Sequence, residues 1–168
     1  MIRLAAALLL LCLLPAWAAR AAEPLPPPSG PVILTVSGAI DRTNAPGRAE
    51  FDRAMLEALG VSQLTTSTDW TDGKPVFAGV LASKLLTAVG AHGSTAVATA
   101  LNDYQITIPL DDLTRYPVLL ALTMNGTQLT ARDKGPVWVV YPRDDYAELR
   151  SPQINDRWIW QLRSLEIR

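Results

Sequence analysis

Asn125-Gly126 constrains this chain more than any other feature. Both residues tolerate the positive φ that a two-residue hairpin turn demands. The dipeptide stands between residues 118–124, VLLALTM, and 127–130, TQLT, which are read as antiparallel strands. A charged loop and a third apolar strand over 137–141, VWVVY, follow.

The rest of the chain carries the same punctuation. Residues 31–37, PVILTVS, are β-branched and end at Gly38, as a first strand would. After the Asn44-Ala45-Pro46-Gly47 turn or helix start, Phe51, Met55, Leu56 and Leu59 recur at helical spacing before Gly60. Thr-rich residues 61–68 suit an edge strand, and 69–75 are a loop. Residues 76–81 lead into a second helix that carries Leu81, Leu85 and Val89 on one face and ends at Gly90. Asn102-Asp103 marks a second hairpin between 95–101 and 104–108, with Pro109 as its stop. Residues 158–167 form a last strand, bulged near Arg163-Ser164, where its apolar face switches. Two helices among some eight strands predict an α+β, β-rich mixed-sheet domain.

Residues 1–22 have the plan of a secretory signal peptide. Arg3 precedes an apolar run of residues 5–14, too short to span a bilayer, and Ala16-Trp17-Ala18 offers a cleavage site. The expected location is therefore periplasmic or secreted. Cys12, the sole cysteine, lies in that segment, so the mature chain has no disulfide, no thiolate nucleophile and no cysteine metal ligand. Proline-rich residues 23–30 are expected to be an extended tether, and 31–168 a single domain with no later membrane span. With 15 basic and 16 acidic residues there is no basic excess to track a nucleic acid backbone.

The order of the motifs from Phe77 onward resembles the molybdopterin-binding domain of the sulfite oxidase superfamily. Phe77-Ala78-Gly79-Val80-Leu81 with Leu85-Leu86 resembles its W-x-G-v-x-L…L-L segment. Asp103-Tyr104 and Ile108-Pro109-Leu110 resemble its D-G-Y…P-L hairpin, and residues 119–129 its strand and Asn-Gly turn. Residues 135–142 resemble H-G-x-P-x-R-x-v-x-P, and Arg157-Trp158 the late K-W pair. The resemblance is to the short, stand-alone secreted members regarded as pterin-binding or molybdopterin-binding proteins. It implies molybdopterin or a related pterin as ligand, held near Tyr104, Lys134, Trp138 and Arg157.

Departures qualify that implication. The family's enzymes ligate molybdenum through a cysteine upstream of W-x-G, and residues 61–76 contain none. Lys134 stands for the family His, and Trp138 aligns with the family Arg. No catalytic residue and no metal ligand is therefore assigned. Arg132 and Arg143 read as loop charges in weak surface pairs with nearby acids. Trp70, in the polar stretch TSTDWTDGK, gains little from a core and is read as a ligand or partner contact, whereas Trp138 and Trp160 read as packing. The single His92 reads as a solvated loop residue, and the pairs Asp111-Asp112 and Asp144-Asp145 as solvent-facing.

The expected function is a periplasmic, non-catalytic domain that binds a pterin or another small anion, as a carrier or sensor for a membrane-bound or periplasmic partner. The alternatives are a molybdenum oxidoreductase without cysteine ligation, and a protein–protein module using Trp70 and loop 143–155.

Overall fold

The computed structural model describes residues 24–168, so the signal segment and Cys12 lie outside the described residues. Two sheets make up the domain. The first runs β2 (Arg48–Phe51), β1 (Leu34–Gly38), β10 (Leu162–Ile167), β5 (Thr95–Ala100), β6 (Gln105–Pro109). Its β1–β10 pair is parallel and the others are antiparallel, so the sheet is mixed. The second runs β3 (Val61–Thr65), β4 (Val76–Leu81), β7 (Leu119–Met124). Two short strands share the far edge of β7: β9 (Trp138–Val140) pairs with Leu119–Ala121, and β8 (Thr127–Gln128) with Thr123 and Met124.

The helices are short: α1 (Arg53–Ala58), α2 (Ala82–Val89), α3 (Leu110–Arg115) and α4 (Pro152–Asn155), with a 3-10 turn at Ala147–Arg150. Buried side chains from both sheets, among them Leu34, Phe51, Phe77, Leu120 and Trp138, join Leu85 and Val89 of α2 in one continuous apolar core.

Both hairpins follow the turn chemistry. Asn125 and Gly126 take φ of 50° and 78°, the positive pair that matches the twist of β7 and β8. Asp103 takes φ of 65° between β5 and β6. Gly90 ends α2 in the left-handed region. The bulge in the last strand is present, as a register shift between Leu162 and Ser164.

Several elements differ from expectation: residues 76–81, expected only to lead into the second helix, form the strand β4 between β3 and β7, and α4 and the 3-10 turn are unanticipated. Phe51 belongs to a strand, not to the first helix: it pairs with Leu34, and burial alternates along residues 48–51. The helix starts only at Arg53, because the Asp52 side chain caps it by accepting from Met55 N–H. Helix α3 was not anticipated; it begins directly after Pro109. The last strand starts at Leu162 rather than at 158, because Gln161 has φ of 52° and breaks the extended run. Residues 24–30 are fastened to the domain. Leu25 N–H donates to the Thr43 carbonyl, Asn44 donates to the Pro26 carbonyl, and Ser29 and Gly30 N–H donate to Asp52.

Candidate functional site

Loop 66–75, between β3 and β4, carries Trp70, and the structure shows why a tryptophan in so polar a loop is tolerated. Ser67 donates from its backbone N–H (3.0 Å) and hydroxyl (2.7 Å) to the Asp144 carboxylate, and Lys74 lies 3.1 Å from the same group. These hydrogen bonds, led by the Ser67 hydroxyl, lower the Asp144 pKa to about 2. Two residues away in the loop, Arg143 and the Asn155 side-chain amide both donate to Asp69, each at 2.5 Å. Arg150 in turn donates to the carbonyls of Arg143 and Asp144. The loop is thus clamped onto residues 143–155, which leaves Trp70 half-buried rather than exposed.

The ring of Trp70 packs against two others. Its centroid lies 5.9 Å from that of Trp158 and 5.4 Å, edge-on, from that of Trp160. These three rings, Tyr104, Asn102, Asn155 and Asp156 line an open cleft of about 310 Å³, which also touches Ala100 and Ile159. It lies where the β5–β6 hairpin, loop 66–75 and the segment after α4 meet. Its walls are aromatic, and its polar groups are two amides, a phenol and a carboxylate. No lysine, arginine or histidine is among them.

The four residues singled out in the sequence occupy different places. Tyr104 lines the cleft and is 48% exposed. Trp138 is fully buried, edge-on to Phe77 at 5.2 Å, and donates from Nε1 to the Trp158 carbonyl at 3.3 Å. Lys134 lies over the rings of Trp138 and Trp160, with Nζ 5.5 and 5.8 Å from their centroids. It borders a separate hollow of about 590 Å³ with Met124, Asn125, Gln128, Leu129, Arg132 and Asp133. Gln161 sets this position: its amide donates to the carbonyls of Ala131 and Asp133, and its N–H donates to that of Lys134.

Arg157 does not line the cleft and forms an ion pair with Asp112 on α3. The Tyr141 hydroxyl donates to the same carboxylate at 3.3 Å; burial, reinforced by Asp112, raises its pKa and keeps it protonated. Two acids read as solvent-facing therefore are not. Asp112 is 13% exposed at its side chain, held by Arg157 and Tyr141, and Asp144 is 19% exposed and anchors the loop. The partner of Arg143 is Asp69, and that of Arg157 is Asp112, both distant in sequence. His92 is a surface residue near Asp41 and the Gly90 carbonyl.

Asn102, Asn155 and Asp156, which the sequence does not assign to a ligand, complete the cleft with Trp158 of the late Arg-Trp pair and with Trp160, which reads as packing but lines the wall. Two side-chain atoms of this set are buried without a hydrogen-bond partner, Asn155 Oδ1 and Trp158 Nε1.

No curated protein matches the sequence. The structure is similar to that of the sulfane dehydrogenase SoxCD from Paracoccus pantotrophus, with a TM-score of 0.54 and 20% identity. That match covers 80% of this chain but only 37% of the SoxCD chain, so it speaks for the fold alone. A family model described as "Oxidoreductase molybdopterin binding domain" matches residues 47–147, more than half of the chain. That stretch runs from β2 through both hairpins to the clamp on the loop of Trp70, and on this ground the chain belongs to the oxidoreductase molybdopterin-binding domain family.

Proposed function

We propose that this domain binds a pterin without catalysing a reaction, and that it does so in the periplasm or outside the cell as a carrier or sensor for a protein partner. The observation that carries the reading is the cleft. Three tryptophans and a tyrosine around about 310 Å³ suit a small planar ring, and the amides at its wall suit the polar edge of one.

The residues do not fit a ligated molybdenum. Molybdopterin presents soft dithiolene sulfurs, and the family's enzymes add a protein thiolate. The described residues include no cysteine and no group of three His, Cys, Asp or Glu placed to hold a metal ion. Segment 61–76 offers hydroxyls instead, and the buried Thr66 and Thr68 among them are hard, weak donors. No helix among the described residues is long and apolar enough to cross a membrane. The signal-like residues 1–22 support export.

Native mass spectrometry with metal analysis tests this reading on the chain recovered from the periplasm of a molybdopterin-producing host. The expected result is a pterin mass without molybdenum. A bound molybdenum cofactor would restore the oxidoreductase reading. An apo mass, with no pterin binding on titration, would sink the proposal and leave a protein partner as the target.

A further inference from the structure

The cleft beside Trp70 combines an aromatic wall with an unbalanced charge. Asp156 is the one charged residue that lines it. Among the described residues, no side chain pairs with the Asp156 carboxylate. The basic residues next to the cleft are engaged elsewhere: Arg157 by Asp112, Arg143 by Asp69 and Arg163 by Asp103. An anionic group brought here would meet a like charge and no guanidinium or ammonium. A cation would meet a carboxylate that nothing else neutralises.

The rings supply the other half of a cation site. Trp70 and Trp160 are half-buried and Tyr104 is 48% exposed, so all three keep open surface where they line the cleft. The planes of Trp70 and Trp160 stand at 84° to one another, and those of Trp70 and Trp158 at 52°. Rings at such angles make a corner, which fits a compact, rounded group. An aromatic face carries negative potential and attracts a cation within about 6 Å of its centroid. Trp160 already does so inside the protein: Lys134, which does not line the cleft, holds its Nζ 5.8 Å from that centroid. Hydration then selects the kind of cation. A primary ammonium is strongly hydrated and must replace its water with several well-placed acceptors. A quaternary ammonium has no N–H to satisfy, spreads its charge over its alkyl groups and is the cation that aromatic corners suit best. The volume, about 310 Å³, stands at the small end of the roughly 300–1,000 Å³ of small-molecule sites.

We propose that the cleft also takes a small quaternary ammonium compound, with Trp70, Tyr104 and Trp160 against the alkylated head and Asp156 as the counter-charge. This goes beyond the pterin reading and adds a second class of occupant. A stacked pterin and an alkylated ammonium use the same aromatic surface, so each excludes the other.

Calorimetric titration of the purified chain tests this with choline and with its uncharged carbon analogue, in which a tert-butyl group replaces the trimethylammonium. Choline should bind about tenfold tighter than the analogue, the worth of one or two cation–π contacts. Asp156→Asn and Tyr104→Leu, both at exposed positions, should each weaken choline about threefold and change the analogue far less. A pterin titration repeated in saturating choline should give a weaker apparent affinity. If the analogue binds as tightly as choline, or if neither variant weakens choline, the inference falls. Choline that binds without weakening pterin lies outside the cleft and overturns it as well. Pterin binding without choline binding removes the inference and leaves the proposed function standing. Choline binding of the expected pattern without pterin binding does the reverse, and if neither ligand binds, both readings fall.

Discussion

Asp52 shows how much one side chain carries in a small domain without disulfides among its described residues. It is 2% exposed and serves two masters. Oδ1 accepts from Met55 N–H at 2.8 Å and caps α1, while Oδ2 accepts from Ser29 and Gly30 N–H at 2.7 and 2.8 Å and ties the N-terminal segment down. Those bonds, that from Met55 foremost, lower its pKa from 3.8 to about 2. A folded-state pKa below the unfolded one means that the charged form stabilises the fold above pH 4, and that the contribution is lost as pH falls towards 2. Asp52→Asn should therefore lower the melting temperature at neutral pH and flatten its decline between pH 4 and 2. Thermal melts across that range would show it, and an unchanged acid limb would assign the decline to other carboxylates such as Asp144.

The strand pair β4–β7 and the loop that follows β3 set the limits of tolerance at the scale of elements. A Cβ at Gly79 would stand 2.0 Å from the Leu120 carbonyl oxygen, at the position where the β4–β7 register shifts. Only glycine lets the two backbones approach so closely there. Gly79→Ala should cost about 3 kcal/mol in a denaturant titration, the upper range for overpacking. A cost within experimental error would mean that the sheet relaxes freely at the bulge. The loop behaves differently, because polar bonds rather than packing hold it. Asp144→Ala removes the acceptor for Ser67 and Lys74 and should loosen Trp70 while costing about 2 kcal/mol of stability, the worth of a charge-assisted hydrogen bond. Faster acrylamide quenching of tryptophan fluorescence and weaker pterin binding would report that loosening; unchanged quenching would show that Asp69 alone holds the loop.

Across the whole molecule, the aromatic residues divide into a buried set and a cleft-lining set that touch. Phe77 packs on Trp138, Trp138 on Trp160, Trp160 on Trp70, Trp70 on Trp158, and Trp158 on Tyr141, all with centroids 5.2 to 6.4 Å apart. Burial changes along that chain, from the enclosed Trp138 to the half-buried Trp70. Trp138→Ala should cost about 3–5 kcal/mol, the usual penalty for an emptied aromatic site in a core. Trp70→Ala should cost much less and yet abolish pterin binding. Paired unfolding and binding measurements decide it: equal losses of stability would place Trp70 in the core and remove it from the site.

What the sequence alone determined was local. Asn125-Gly126, Gly90 and the Asn102-Asp103 turn each specify a backbone conformation within a few residues, and each sits where it was expected. The motif order from Phe77 onward carried the family as well, since the spacing of turns and apolar runs reflects the fold. Tertiary structure decided the rest. Phe51 had apolar neighbours at helical spacing, but pairing with Leu34 and the cap at Asp52 drew it into a sheet. Asp112 looked like a surface acid, and only the arrival of Arg157 and Tyr141, 45 and 29 residues away in sequence, made it the anchor of a partly buried pair. The cleft is the extreme case. Its walls come from residues 70, 100–104 and 155–160, and it forms because Asp69 and Asp144 reach across more than 70 residues to fasten the loop of Trp70. Turn preferences act through neighbouring dihedrals and can be read along the chain. A cavity and the charges that line or avoid it depend on distances set by packing the two sheets, which no local pattern encodes.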